Sequence, residues 1–307
     1  MREKTDRPIP QRPTASIRRE LAALGRLPRK RLGQHFLADA QIARRIVDLA
    51  ALQPMDRAVE IGPGLGALSD LLVERVGALW LVEVDSDLAE RLRSRYAASP
   101  HVHVVEADAL VVDFAALLGP GAPAVVVANL PYNVATPVLA ALLRQSECFA
   151  RMVLMLQREV VQRLVASPGS KAYAALSVLT QYAAHVRPAL RVGPEAFVPR
   201  PKVESEVAIV EPYRQPPVAV SDPKLFRRLI KTVFTQRRKQ LSNSMRALCA
   251  DAAALLLGAG IEPARRPETL SLGEFATLSN ALAEKEAVAK PAGQQTTDRQ
   301  TTDPNPR

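Results

Sequence analysis

Apolar and polar positions change period in blocks along the chain. Short, largely apolar runs predict strands at Ala58–Ile61, Ala78–Val84, Val102–Val105, Ala124–Ala128 and Met152–Leu156. The run Ala124–Ala128 has no polar alternation, which predicts burial on both faces. Between these runs, helical spacing covers 39–51, Leu65–Arg75, Leu88–Ala98, Pro137–Leu143, Val160–Ala166 and Ala172–Ala183, with Asp39 placed as an N-cap. Residues 187–198 and 205–211 read as two late strands. Strands alternating with helices predict an α/β fold: a mostly parallel sheet with helices on both faces. Upstream, residues 15–25 set Ile17, Leu21 and Leu24 on one helical face that ends at Gly25. Four prolines in 212–223 mark a linker, and 224–283 is helical with breaks near Gly258–Gly260 and Pro263–Pro267. The expected organisation is a disordered basic tail (1–13), a basic arm and loop (14–37), a Rossmann-like sheet domain (38–212), a linker (213–223), a small all-α domain (224–284) and a disordered tail (285–307).

Composition narrows the function classes. Two cysteines, Cys148 and Cys249, make neither a disulfide framework nor a four-thiolate metal site, and four histidines show no ligand spacing. No metal is expected. No apolar run reaches the ~18 residues of a membrane span, and the N-terminus has no apolar signal core. A cytoplasmic protein is expected. The net charge of +10 is unevenly spread. Residues 1–45 hold 12 basic and 4 acidic side chains, and 221–250 hold 8 and 1, whereas 46–220 hold 15 and 18. Two basic patches on a near-neutral body fit a polyanion partner, since each neutralised phosphate releases counterions. The plainer alternative is two solvated surfaces.

Gly62-Pro63-Gly64-Leu65-Gly66 follows a strand and opens a helix. Glycine there permits a sharp turn and close approach of a ligand to the main chain. Glu83 ends the next strand, where a carboxylate can accept both ribose hydroxyls. Asp108 follows the third strand and can face an adenine amine, and Asn129 ends the fourth. All lie at the carboxyl ends of strands, the ligand edge of an open α/β sheet. The glycines alone also fit a nicotinamide site, because Gly62, Gly64 and Ala67 satisfy G-x-G-x-x-A, or a tight turn with no ligand. The tetrapeptide Asn129-Leu130-Pro131-Tyr132 then supplies an amide oxygen, a carbonyl at Leu130 or Pro131, a stiffened turn and an aromatic face. That set suits holding both hydrogens of an exocyclic aromatic amine while its ring stacks on Tyr132.

These residues sit within a series of collinear motifs: KRLGQHFL (30–37), VEIGPGLG (59–66), VEVD (82–85), EADAL (106–110), NLPYNVATPVL (129–139), LMLQREVVQRLVA (154–166), FVPRPKVESEV (197–207), FTQRRKQLSNSM (234–245) and RPETLSLGEF (266–275). From about Ile17 to Leu282 the chain resembles the ribosomal RNA adenine N6-dimethyltransferase family, and within it the bacterial small-subunit (16S) branch. The resemblance implies a class I S-adenosylmethionine-dependent methyltransferase sheet with a small C-terminal all-α domain. It implies N6,N6-dimethylation of two adjacent adenosines in the 3′-terminal hairpin loop of 16S rRNA, within an assembling small subunit, by a monomer. Carried onto this chain, His35 and Leu37 close over the cofactor, Gly62 abuts its methionine part, Glu83 holds the ribose and Asp108 the adenine amine. Asn129 bridges cofactor and target, Leu130, Pro131 and Tyr132 complete the target pocket, and Phe197 is the second stacking face. Arg29, Lys30 and Arg31 face the substrate, and Arg237, Arg238 and Lys239, in a helical stretch, grip rRNA phosphates. The motif departs from the family at His35, where asparagine is the more expected residue; both hydrogen-bond, and histidine adds a titratable group.

Four rivals share parts of this pattern. A 23S rRNA adenine methyltransferase of the macrolide-resistance type shares the glycine loop and the N-x-P-Y turn, but FVPRPKVES and QRRKQLSNSM point away from it by resemblance. A DNA adenine methyltransferase more often carries two prolines in the tetrapeptide, where position 130 here is Leu. A non-catalytic subunit-assembly checkpoint factor leaves the intact tetrapeptide unexplained, and a nicotinamide oxidoreductase leaves both basic patches unexplained.

Overall fold

A computed structural model describes residues 34–289 and, upstream of them, Ile17, Arg19 and Glu20. Among the described residues nine strands form: β1 (Phe36–Leu37), β2 (Arg57–Ile61), β3 (Ala78–Glu83), β4 (Val102–Glu106), β5 (Ala124–Asn129), β6 (Phe149–Gln157), β7 (Ala184–Val192), β8 (Phe197–Val198) and β9 (Ser205–Pro212). Seven of them make one sheet in the order β4-β3-β2-β5-β6-β9-β7. The first five in that order are mutually parallel, and β9 runs antiparallel to both β6 and β7. The sheet is therefore mostly parallel but mixed. Chain order reverses between β2 and β5, so the crevice at the carboxyl ends of those strands is the topological switch point.

Alternate residues of the central strands feed two cores. Ala58, Leu81, Val127 and Val153 join one cluster, with helix Ala40–Leu49 packed through Ala43, Ile46 and Val47. Val59, Val82, Val126 and Leu154 join the other, with helix Ala135–Arg144 packed through Val138, Leu139 and Leu142. Burial on both faces explains the near-continuous apolar strands. Each Val or Leu side chain fully buried there contributes roughly 1.5–3 kcal/mol. Asp39 caps the helix that it precedes, accepting from the Gln41 and Ile42 N–H groups at 2.8 and 3.0 Å.

The first compact unit runs through Val218 and takes in Glu268–Leu272. Tyr173 Oη donates to the Leu270 carbonyl at 2.9 Å, and Gly169 N–H donates to that of Glu268 at 2.7 Å, which ties this short segment to the sheet unit. The second unit, Ala219–Pro267 with Gly273 onward, is helical. Its helix Pro223–Thr235 is capped by Asp222 and buries Leu225, Phe226, Leu229, Ile230 and Val233 on one face. Phe234 and Phe275 pack with ring centroids 5.9 Å apart.

Several elements differ from the sequence expectation. The helix expected over Leu65–Arg75 shrinks to Ser69–Leu72, because Gly62, Gly64 and Gly66 all adopt positive φ and keep the preceding chain in turns. The strand expected over 187–198 breaks at Gly193–Ala196 into β7 and β8. Arg237, Arg238 and Lys239 are not helical: the helix ends at Thr235 and they occupy the following turn, closed by Lys239 N–H donating to Gln236 O at 2.8 Å. The last helix, Leu272–Ala289, runs past residue 284 into the segment expected to be a tail, where Ala, Glu and Lys are strong helix formers. Arg29, Lys30 and Arg31, the tail 1–13 and residues 290–307 lie outside the described residues.

Candidate functional site

The crevice at the switch point opens into a cleft of about 1260 Å³, counting its open mouth. It brings together His35, Leu37, Gly62, Glu83, Asp108, Asn129, Leu130, Pro131 and Tyr132. The three loop glycines are needed for different reasons. Gly62 has φ +66° and no atom within 4 Å of a Cβ position, so its open side is ligand space. Gly64 has φ +57° and lies 3.1 Å from the Phe36 ring by the same measure, and Gly66, φ +81°, lies 3.1 Å from the Tyr96 hydroxyl. A side chain at either would meet packed neighbours and a left-handed backbone.

Glu83 ends β3 and is 4% exposed. Its Oε2 accepts from Gly64 N–H and its Oε1 from Asp85 N–H, both at 3.0 Å. Burial pushes its carboxyl above the usual range, and these backbone bonds only partly oppose that. Each oxygen keeps a further lone pair, so a diol can be held by both. Asp108 spends Oδ1 on the Leu110 N–H at 2.9 Å, leaving Oδ2 for a second donor.

Asn129 ends β5 and donates from Nδ2 to the His35 carbonyl at 3.1 Å. A carbonyl cannot donate, so this bond fixes which end of the amide is which and leaves Oδ1 as an acceptor for the cleft. Next in the turn, Leu130 N–H donates to Met155 O at 3.2 Å, and the Pro131 carbonyl accepts from Val134 N–H at 3.1 Å. The Leu130 carbonyl accepts no backbone hydrogen bond among the described residues, so of the two candidate main-chain acceptors it is the open one. The ring of Tyr132 is held at both ends. Its hydroxyl bonds Ser205 Oγ at 2.6 Å, and its centroid lies 5.3 Å from that of His35. Burial raises the Tyr132 pKa, and the Ser205 bond partly opposes the shift. The His35 ring is in turn fixed by Nδ1 against the Pro199 carbonyl at 2.7 Å.

Other expected residues are placed elsewhere. Phe197 does not line the cleft. It is 3% exposed, sits in the core with Leu37, its Cα partner across β1 and β8, and presents no face on which a base can stack. Arg237, Arg238 and Lys239 belong to the second unit. Among the described residues no group of three His, Cys, Asp or Glu could hold a metal. Two residues that sequence reasoning passed over are part of the site. Ser205 anchors Tyr132 from β9. Glu60, 2% exposed in β2, lines the cleft and accepts from Ser69 Oγ at 2.5 Å. Burial pushes its pKa up to about 8; the Ser69 bond opposes this, while the Asp70 and Glu83 charges add to it. A carboxylate inside an apolar strand was the available signal.

A family model described as Ribosomal RNA adenine dimethylase matches residues 25–284. A Ribosomal RNA small subunit methyltransferase A of Magnetococcus marinus is 47% identical over 257 residues, spanning 83% of this chain and 92% of that protein. Its namesake in Syntrophotalea carbinolica is 46% identical over 258 residues, spanning 83% and 97%. Among solved structures, a dimethyladenosine transferase from Plasmodium falciparum superposes with a TM-score of 0.69 at 22% identity, covering 82% of this chain and 98% of that one. The 23S rRNA methyltransferase ErmE gives 0.60 at 23% identity, covering 81% and 99%. At these identities the two structures establish a shared fold.

Proposed function

The chain belongs to the ribosomal RNA adenine dimethylase family, and on that premise we propose that it moves methyl groups from S-adenosylmethionine to N6 of two adjacent adenosines in the 3′-terminal hairpin loop of 16S rRNA. It acts in the cytoplasm, as a monomer, on an assembling small subunit, and contributes to that subunit's biogenesis. The observation that carries this reading is the Asn129–Tyr132 turn: two acceptors and an aromatic ring beside a loop and two carboxylates suited to a nucleoside.

The residues present fit the cofactor. Glu83 keeps a lone pair on each oxygen for the ribose hydroxyls, Asp108 has a carboxylate oxygen for the adenine amine, and Gly62 leaves open space beside the main chain. The lining of the cleft runs from the glycine loop and the two carboxylates to the Asn129–Tyr132 turn, and its open mouth lets a base enter beside the cofactor. When bound, the cofactor supplies an electrophilic methyl group on a sulfonium.

An adenine amine is a weak nucleophile because its lone pair is delocalised into the ring. Asn129 Oδ1 and the Leu130 carbonyl accept its two hydrogens, drawing the nitrogen toward a tetrahedral shape. Both acceptors gain strength as positive charge develops on nitrogen, which is where electrostatic preorganisation lowers a barrier. Tyr132 stacks on the base and fixes its plane. The nitrogen gains the methyl and sheds a proton to water, so no strong base is needed. After the first transfer one N–H remains, and the second transfer proceeds with one of the two acceptors engaged.

The test is transfer of labelled methyl from S-adenosylmethionine to unmethylated small subunits, with large subunits and DNA as parallel substrates. N6,N6-dimethyladenosine at two neighbouring positions near the 3′ end is the expected product. Label on large-subunit RNA moves the chain to the macrolide-resistance type. Asn129→Ala should lower kcat at least ~100-fold with subunit affinity within a few-fold of wild type; unchanged turnover removes Asn129 from the chemistry.

A further inference from the structure

We propose that a second pocket, bounded by Gln157, Arg158, Glu159, Gln162, Val203 and Glu204, receives the base of the nucleotide adjacent to the target adenosine and reads it as adenine. This rests on the RNA-adenosine reading above and assigns a subsite to it. The first observation is place. Gln157 is the last residue of β6 and is the Cα partner of Ser205 in β9. Ser205 Oγ holds the Tyr132 hydroxyl at 2.6 Å. The second pocket therefore begins one cross-strand pair from the residue that holds the Tyr132 ring, within reach of a nucleotide joined to the target.

The second observation is charge. Arg158 Nη1 pairs with Glu204 Oε2 at 2.6 Å, and Arg163 Nη2 with Glu159 Oε1 at 2.7 Å. Arg158, the cation in the lining, is already matched by Glu204, and a phosphate would also meet Glu159 and Glu204 there. A neutral base is the ligand that the charge balance admits. The third observation is the hydrogen-bonding inventory. The Gln157 and Gln162 amides carry no hydrogen bond among the described residues, and Arg158 Nε is buried without an acceptor. Each amide offers a donor beside an acceptor. That pair matches the N7 acceptor and N6 donor of adenine, whereas guanine presents two acceptors on the same edge. Val203, 43% exposed, supplies apolar surface for the face of the ring.

A neighbour pocket of this kind would make the chain sensitive to what lies beside its target. The experiment uses the full-length protein and small subunits reconstituted with 16S rRNA in which one adenosine of the pair is kept and the other is adenosine, guanosine or uridine. Initial methylation of the kept adenosine is mapped after digestion. Wild type should prefer the adenosine neighbour by about tenfold, within the range of one bidentate base contact. Gln157→Ala with Gln162→Ala should compress that preference to within twofold, with S-adenosylmethionine affinity by calorimetry unchanged. Should the double variant lose cofactor binding, Gln162→Ala, at an exposed position, takes its place and should reduce the preference about threefold. Equal wild-type rates on all three neighbours, or a variant that keeps the wild-type preference, overturns the proposal. Absence of wild-type transfer to every RNA, with cofactor bound, instead overturns the functional reading beneath it.

Discussion

Glu60 is a carboxyl group that lines the cleft at only 2% exposure, with the Ser69 hydroxyl as its hydrogen-bond donor. Its neighbours oppose ionisation: Asp70 and Glu83 carry the same charge, and Tyr96 donates to Asp70 at 2.7 Å rather than to Glu60. With a folded pKa of about 8 against 4.5 for the free side chain, the native state holds a proton that the unfolded chain releases. Stability then falls as pH rises from about 4.5 to about 8, since the slope follows the protons bound in the unfolded minus the native state. Glu60→Gln removes that slope. Its melting temperature should gain on wild type by several degrees between pH 5 and pH 8, with Glu83 leaving a residual slope of the same sign. A variant that keeps the full wild-type pH dependence would place the proton elsewhere. At this scale the sequence showed Gly62, Glu83, Asp108 and Asn129, because each stands at a strand end in a recurring pattern. Glu60 and Ser205 were hidden, one by the glycines beside it and the other because its role depends on a partner 73 residues away.

At the scale of elements, the glycine loop sets both the shape of the cleft and the place of β1. Gly64→Ala forces a side chain into a left-handed backbone, about 1–2 kcal/mol, and against the Phe36 ring at 3.1 Å. The expected loss is roughly 2–3 kcal/mol in urea unfolding. Adding Phe36→Ala should cost less than the two separate losses combined, because the clash is shared. Strict additivity would mean that ring and loop do not press on each other. The strands of the large sheet were readable because five to nine residues carry a period and a burial pattern. The pairing of β1 with β8 was not, since two residues on each side carry no period at all. For the same reason Phe197 looked available for stacking: nothing local says that its neighbour across the ladder is Leu37. The helix past residue 284 shows the opposite failure, in which missing large apolar residues outweighed good helix formers.

For the whole molecule, the dominant property is its unevenly spread positive charge. Arg238 and Lys239 are exposed in the turn after Thr235, a position that can lay cations on a backbone without holding them in helical register. If they and Arg237 contact phosphates, Arg237→Ala with Arg238→Ala should weaken small-subunit binding and lower the slope of log affinity against log salt by about two. Binding titrations from low to moderate salt would show it, and an unmoved slope would return these arginines to the solvent. Net charge and its division are read from the sequence alone, and the two compact units part at Val218 and Ala219.

The hydrogen bond from Asn129 to the His35 carbonyl has a consequence for the polarity of catalysis. A carboxamide is nearly symmetric in shape and opposite in sense at its two ends. With His35 in place, the amide is locked with its oxygen toward the cleft. With that carbonyl withdrawn, a half-turn of the side chain would present NH₂ to the amine, a donor competing for the lone pair that must be exposed. The pairing of Phe36–Leu37 with Phe197–Val198 is thus a latch on the sign of one dipole. Unfastening it would leave every side chain present and the key one facing backwards.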